Sequence, residues 1–168
     1  TPRRKNVEFF ASAAAAQKAG YHPCLRCRPE LSPAPSAHAG LPDVVARAFA
    51  LIAEGALDSD GLPNLARRLA VSERQLKRLC IEHLGVPPHE IAQTRRVLFA
   101  KQLLHDTSLS MADVAMASGF GSIRRFNSTF QSLFSKPPNM LRREWINDVE
   151  RGEGNWIKIR LGFRPPLD

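Results

Sequence analysis

The chain has 168 residues, with 24 Lys and Arg against 16 Asp and Glu, a formal charge of +8 and a pI near 10.1. Hydrophobic residues make up 43%, enough for a buried core, and no stretch approaches the ~20 apolar residues of a membrane span. Three cysteines exclude a fully paired disulfide framework; with no signal peptide in view, they point to a reduced, cytoplasmic setting and an anionic partner, nucleic acid being the commonest.

The first residue is Thr, and the sequence reads as a slice of a longer polypeptide. Residues 1–30 are expected to form a small α/β unit. Its strand is "VEFF" at 7–10, and its helix runs through "AAAAQKA", capped by Ser12 and ended by Gly20. "YHPCLRCRPE" follows. Cys24 and Cys27 stand as C-x-x-C, which is half of a four-cysteine zinc site, so the metal shell is incomplete here. Of the histidines near them, His22 and His38 are the available substitutes. Residues 31–41 are rich in Pro, Ser, Ala and Gly and read as a linker. From Pro42, Val45, Ala48, Phe49 and Ile52 recur at helical spacing, and Gly55 is the stop. Residues 42–146 form the main, all-α domain. Residues 147–155 read as a second polar linker. Ile157, Ile159, Leu161 and Phe163 then alternate with polar residues and Gly as a lone strand, so 147–168 form the last unit.

Within the main domain "LARRLAVSERQLKRLCIEHLGVPP" (65–88) repeats as "VAMASGFGSIRRFNSTFQSLFSKPP" (114–138). The register is an offset of 49 before the turn and 50 after it. Each copy reads as helix, tight turn, helix. Ser72 restarts the first copy, with Gln75 completing a capping box; Gly119 permits the second turn and Ser122 caps. Leu76, Leu79, Cys80 and Leu84 make an inward stripe in one second helix. Phe126, Phe130, Leu133 and Phe134 do so in the other. Cys80 is thus an inert core thiol. Arg74, Lys77, Arg78 and Ile81 lie on the opposite side of the first, and Arg124, Asn127, Ser128 and Gln131, with Arg125 beside them, on the second.

Those outward groups match base edges. Arg and Lys pair with guanine, Asn and Gln with adenine, and a helix enters the major groove with its N-terminal residues. Backbone N–H groups at Ser72 and Ser122 are suited to hold phosphates. A solvated polar face is the alternative for either row alone. Two rows at equivalent positions of a repeat, in a basic chain, favour DNA. Residues 89–107 read as one continuous helix of seventeen helical residues, roughly 25 Å long, a rod able to present two readers about one duplex turn (~34 Å) apart. Arg95, Arg96 and Lys101 on it are expected to meet phosphate or solvent.

Residues 44–146 resemble the AraC/XylS family of bacterial regulators. The carrying segments are "LARRLAVSERQLKRLC", "RRVLFAKQLL" and "MADVAMASGFGSIRRFNSTFQSLFSKPPNMLRR". The resemblance implies two helix-turn-helix units joined by a long helix, acting as a monomer on double-stranded DNA and contacting RNA polymerase. It places base contacts on Arg74, Lys77 and Arg78, and on Ile123, Arg124, Asn127 and Ser128. Ile123 departs from the polar residues usual there and is suited to a thymine methyl. "KNVEFFASAAAAQKAGYHPCLRCRPE" resembles the latter part of the Ada methylphosphotriester-repair domain, in which four cysteines hold one zinc and one accepts a methyl group. Cys24 and Cys27 match the last two ligands. Zinc therefore belongs to the full-length parent and binds weakly or not at all here. "WIKIRLGFRPPLD" looks like the first strand of an AlkA-type glycosylase, without catalytic residues; Asp168 is not cast in that role. The first reading is a DNA-binding regulator of the alkylation-damage response, with no catalytic residue in this chain. The rivals are a repair-enzyme fragment whose active residues lie outside it, and a binder acting through charge alone.

Overall fold

The structure, a computed structural model, describes residue 3 and residues 6–25 and 40–151. Among these, nine helices and no strand are found: α1 (Ala13–Lys18), α2 (Asp43–Ala53), α3 (Ala56–Ser59), α4 (Gly61–Arg68), α5 (Glu73–Leu84), α6 (Pro88–Asp106), α7 (Met111–Ala117), α8 (Ile123–Phe134) and α9 (Pro138–Arg151). No helix among the described residues is long and apolar enough to cross a membrane.

The repeat appears as structure. α4 and α5 form one helix-turn-helix, α7 and α8 the other. Serine caps start three of the four: Ser72 Oγ accepts from Gln75 N at 3.1 Å, Ser110 Oγ from Asp113 N at 3.1 Å and Ser122 Oγ from Arg125 N at 3.2 Å. Each such cap stabilises its helix by about 1 kcal/mol. The turns agree as well. Gly119 has φ +86°, and Ala70 at the equivalent position has φ +55°, so both copies turn through the left-handed region. The helix ends match too, through Gly85 (φ +78°) and Ser135 (φ +55°).

Two cores result, and α6 serves both. Leu65, Ala66, Leu76, Cys80 and Leu84 pack with Val45, Ala48 and Ile52 of α2 and with Ile91 and Ala92 near the start of α6. Val114, Phe120, Phe126, Phe130 and Leu141 pack with Val97, Ala100 and Leu104 further along it. The Phe120, Phe126, Phe130 and Phe134 rings form a chain with centroids 4.9–5.5 Å apart, tilted or edge-on as aromatic quadrupoles prefer. Each such buried apolar side chain stabilises the fold by about 1.5–3 kcal/mol. α6 has 19 residues, about 28 Å at 1.5 Å per residue.

Three expectations are corrected. Residues 7–10 are irregular rather than a strand, because no described segment lies beside them to complete a ladder. They are held by side chains instead: Phe10 meets the Tyr21 ring at 5.2 Å, while Tyr21 Oη donates to Glu8 Oε2 at 3.0 Å. That hydrogen bond and the carboxylate's charge push the Tyr21 phenol above its ordinary range. α9 continues to Arg151, five residues into the stretch expected to be a polar linker. Arg95, Arg96 and Lys101 of α6 are internal tethers. Arg95 and Arg96 pair with Asp58, and Lys101, only 1% exposed, donates from Nζ to Cys24 O at 2.6 Å. The expected linker at 31–41 lies outside the described residues except for Gly40 and Leu41, and the strand at 157–163 lies wholly outside them.

The left-handed turns carry different costs. A left-handed alanine is disfavoured by about 1–2 kcal/mol, and the greater freedom of an unfolded glycine takes back about 0.5–1 kcal/mol. Ala70→Gly is therefore expected to raise stability by roughly 0.5–1 kcal/mol in urea unfolding. A loss of stability would mean that the alanine methyl contributes packing that outweighs the strain.

Candidate nucleic-acid interface

The two second helices, α5 and α8, present the same division. Leu76 and Cys80 of α5 and Phe126 and Phe130 of α8 are fully buried. Ser72, Arg74, Gln75, Lys77 and Arg78 are exposed, as are Ser122, Ile123, Arg124, Arg125, Asn127, Ser128 and Gln131 at the corresponding end of α8. An amphipathic helix capped by serine and packed along one stripe has no other way to orient these side chains than outward. Ile81 (52% exposed) and Ile123 (43% exposed) are apolar groups within the polar rows. Such groups are suited to contact with a thymine methyl.

The donor inventory is mixed. α5 supplies cations in Arg74, Lys77 and Arg78; α8 adds amide and hydroxyl groups in Asn127, Gln131 and Ser128. Ser128 Oγ also donates to Arg125 O at 3.0 Å, which holds that hydroxyl against its own helix. Gln93 Nε2 of α6 donates to Thr129 Oγ1 at 3.1 Å, tying α8 to the rod beside the row. Arg125 and Ser128 line an open cleft of about 560 Å³, with Leu57, Leu62, Pro88 and Arg96 among its other walls. These two residues therefore stand at the edge of α8 nearest the first unit.

The cysteine segment sits on the same scaffold, which sequence reasoning missed. Ser12 Oγ donates to Leu84 O at the end of α5 (2.8 Å), Thr94 Oγ1 pairs with Gln17 Oε1, and Lys101 reaches Cys24 O. Leu25 packs against the second core. Residues 12–25 thus run along α6 from one core to the other. The single sequence signal is Lys101 at a position whose neighbours in the helical pattern, Val97 and Leu104, are core residues. Cys24 and His22 are exposed, and Cys27 and His38 lie outside the described residues. Among the described residues no three His, Cys, Asp or Glu side chains gather as a metal site. Two thiolates at this spacing fit half of a tetrahedral zinc shell. Cys80 belongs to the core, where burial pushes its thiol up to about 11.

Residues 65–144 match the profile of a helix-turn-helix domain family, and residues 1–30 that of the metal-binding domain of Ada. Over 168 residues the chain is 40% identical to the Mycobacterium tuberculosis (strain CDC 1551 / Oshkosh) "Probable bifunctional transcriptional activator/DNA repair enzyme AlkA", covering 99% of this chain and 34% of that protein. It is 39% identical over 79 residues to the "HTH-type transcriptional regulator GlxA" of Rhizobium meliloti (strain 1021), covering 47% of this chain and 24% of that one. The chain thus spans about a third or less of the length of these relatives. Among solved structures, the DNA-binding domain of the global transcriptional factor AdpA, in complex with a target DNA, aligns with TM-score 0.60 at 26% identity, covering 67% of this chain and 100% of that one. The C-terminal domain of AraT, a response regulator from Geobacillus stearothermophilus, aligns with TM-score 0.59 at 26% identity, over 62% of this chain and 88% of that one.

The thiolate is the reactive form, so the two described cysteines should separate cleanly. A soluble disulfide reagent at about pH 8 is expected to label Cys24 and spare Cys80 until denaturant opens the core. Labelling of Cys80 in the folded chain would place that thiol outside the packed stripe.

Proposed function

We propose that the chain acts as a sequence-specific DNA-binding transcription regulator of the alkylation-damage response, a reading supported by its matches to a helix-turn-helix domain family and to the metal-binding domain of Ada. The observation that carries the reading is the pair of exposed polar rows at equivalent positions of two serine-capped, half-buried helices. α5 and α8 enter successive major grooves. Arg74, Lys77 and Arg78 read one, and Arg124, Asn127 and Ser128 the other, with Ile123 against a methyl group. Gln75 and Arg125 flank the rows, and the N–H groups following Ser72 and Ser122 meet phosphate. Binding is by one copy to an asymmetric site, with RNA polymerase as the protein partner.

In this reading residues 1–30 are the regulatory input, joined by 31–41 to the reader at 42–146, and 147–168 lead into a further domain. Cys24 and Cys27 hold zinc together with ligands from outside these residues. The metal, when bound, would keep its cysteines as thiolates, the reactive form of the side chain. The alternative, a fragment of a repair enzyme, rests on the words "DNA repair enzyme" in the mycobacterial relative's name. Methyl label transferred from methylphosphotriester DNA onto Cys24 or Cys27 of this chain would favour it.

The reading is tested on duplexes selected by the chain from a random library. Arg74→Ala and Arg124→Ala are each expected to lower the preference for the selected site over random DNA by about 1–3 kcal/mol at fixed salt. Equal losses on both duplexes would assign these cations to phosphate and favour binding through charge alone.

A further inference from the structure

The structure assigns a second task to Asp58: it is the joint that fixes the two readers relative to each other. This rests on the proposed reading of DNA through α5 and α8. Asp58 lies on α3, the single turn between α2 and α4, and so belongs to the first unit. Its carboxylate ties α3 to two further elements. Oδ1 accepts from Arg96 Nε at 2.7 Å, and Oδ2 pairs with Arg95 Nη1, both on α6. The same carboxylate lies against the Cα of Gly119, in the turn between α7 and α8, so closely that a β-carbon there would overlap it. The two arginines are held from behind. Arg95 Nε donates to Ala53 O at 3.0 Å and its guanidinium stacks 5.6 Å from the Phe99 ring centroid, while Arg96 Nη2 donates to Leu57 O at 2.8 Å.

The geometry has a direct consequence. The two cores are separate, so packing within each unit leaves the angle between them to α6 and to whatever bridges across it. Asp58 is such a bridge. It joins the first unit, the rod and the hinge turn of the second reader, with its side chain 22% exposed and those of Arg95 and Arg96 23% and 14% exposed. Partly covered, multiply bonded charges of this kind lose less to salt than fully exposed ones and hold direction as well as distance. The hydrogen bonds of Asp58 go to Arg95 and Arg96, which are outside the two reading rows. It is a positioning residue whose contribution to DNA recognition is the spacing and twist between half-sites.

Spacing selectivity is what a merely stabilising residue would leave unmoved. On a duplex selected by the unaltered chain, inserting one base pair between the two contacted segments rotates one against the other by about 35°. The unaltered chain is expected to lose about tenfold in affinity, and Asp58→Asn only about threefold. Gly119→Ala, which pushes the second turn off the carboxylate, should shift the preferred spacing. In parallel, N–H residual dipolar couplings are measured on the full chain without DNA. α5 and α8 should fit one alignment tensor in the unaltered chain and require two in Asp58→Asn. Identical spacing profiles, or one shared tensor in both proteins, would overturn the role of Asp58. If selection returns no preferred sequence, the DNA-reading proposal fails, and the dipolar couplings still decide the joint.

Discussion

A single helix buried from two sides sets what the rest of the chain can do. α6 gives Ile91 and Ala92 to one core and Val97, Ala100 and Leu104 to the other, so neither helix-turn-helix unit closes without it. A helix that serves two cores cannot show one clean apolar face. Its buried positions, from Pro88 through Thr94 and Lys101 to Leu104, fall around much of its circumference. The rod is therefore held by its packing more than by its propensity. Strain at one end of it has to be absorbed at the other, since close-packed interiors transmit displacement.

The buried cations change how the net charge is understood. Arg95, Arg96 and Lys101 contribute to the formal +8, yet each is held by protein acceptors. Arg142 is similar: its Nη1 donates to Leu109 O at 2.6 Å, and burial draws its guanidinium below the ordinary range. These groups work as internal fasteners. They fix helix ends and loops by donating to backbone carbonyls, which arginine does well because its fork reaches two acceptors at once. Among the described residues, α5 and the first turn of α8 offer a polyanion five exposed cations, Arg74, Lys77, Arg78, Arg124 and Arg125. Counting all basic residues would overstate the phosphate contacts and the salt dependence that follows from them.

What was legible in the sequence is what local periodicity encodes. The stripe through Leu76 and Cys80, its echo in Phe126 and Phe130, the serine caps and the turn at Gly119 all follow from residue type and spacing within some twenty residues. The first turn shows the limit of that reading. Ala70 adopts the left-handed geometry of Gly119, but alanine carries no mark of it, so only the repeat could have exposed the equivalence. "VEFF" shows another: its apolar residues have strand propensity, but propensity forms no strand without a neighbour. The charged residues were least legible. Arg95, Arg96 and Lys101 look like surface residues because their partners, Asp58 and the carbonyl of Cys24, are some 37 to 77 residues away in the chain. Asp58 itself stands in a short stretch after the Gly55 stop that carries no motif.

On the proposed reading of DNA, two readers of three or four side chains each would be weak alone. A good bidentate base contact discriminates by about 1–3 kcal/mol, whereas specific DNA binding typically reaches 10⁻⁸ to 10⁻¹¹ M, about 11 to 15 kcal/mol. The units must therefore act together, and linkage helps only while the second reader is already aimed when the first has bound. A loose connection would spread the second reader over many orientations and return much of the gain as lost entropy. Against that requirement the placement of residues 12–25 is informative. They lie along α6 from the end of α5 to the second core, through Ser12, Gln17, Cys24 and Leu25. The segment that carries Cys24 is thus fastened to the same helix that packs into both cores.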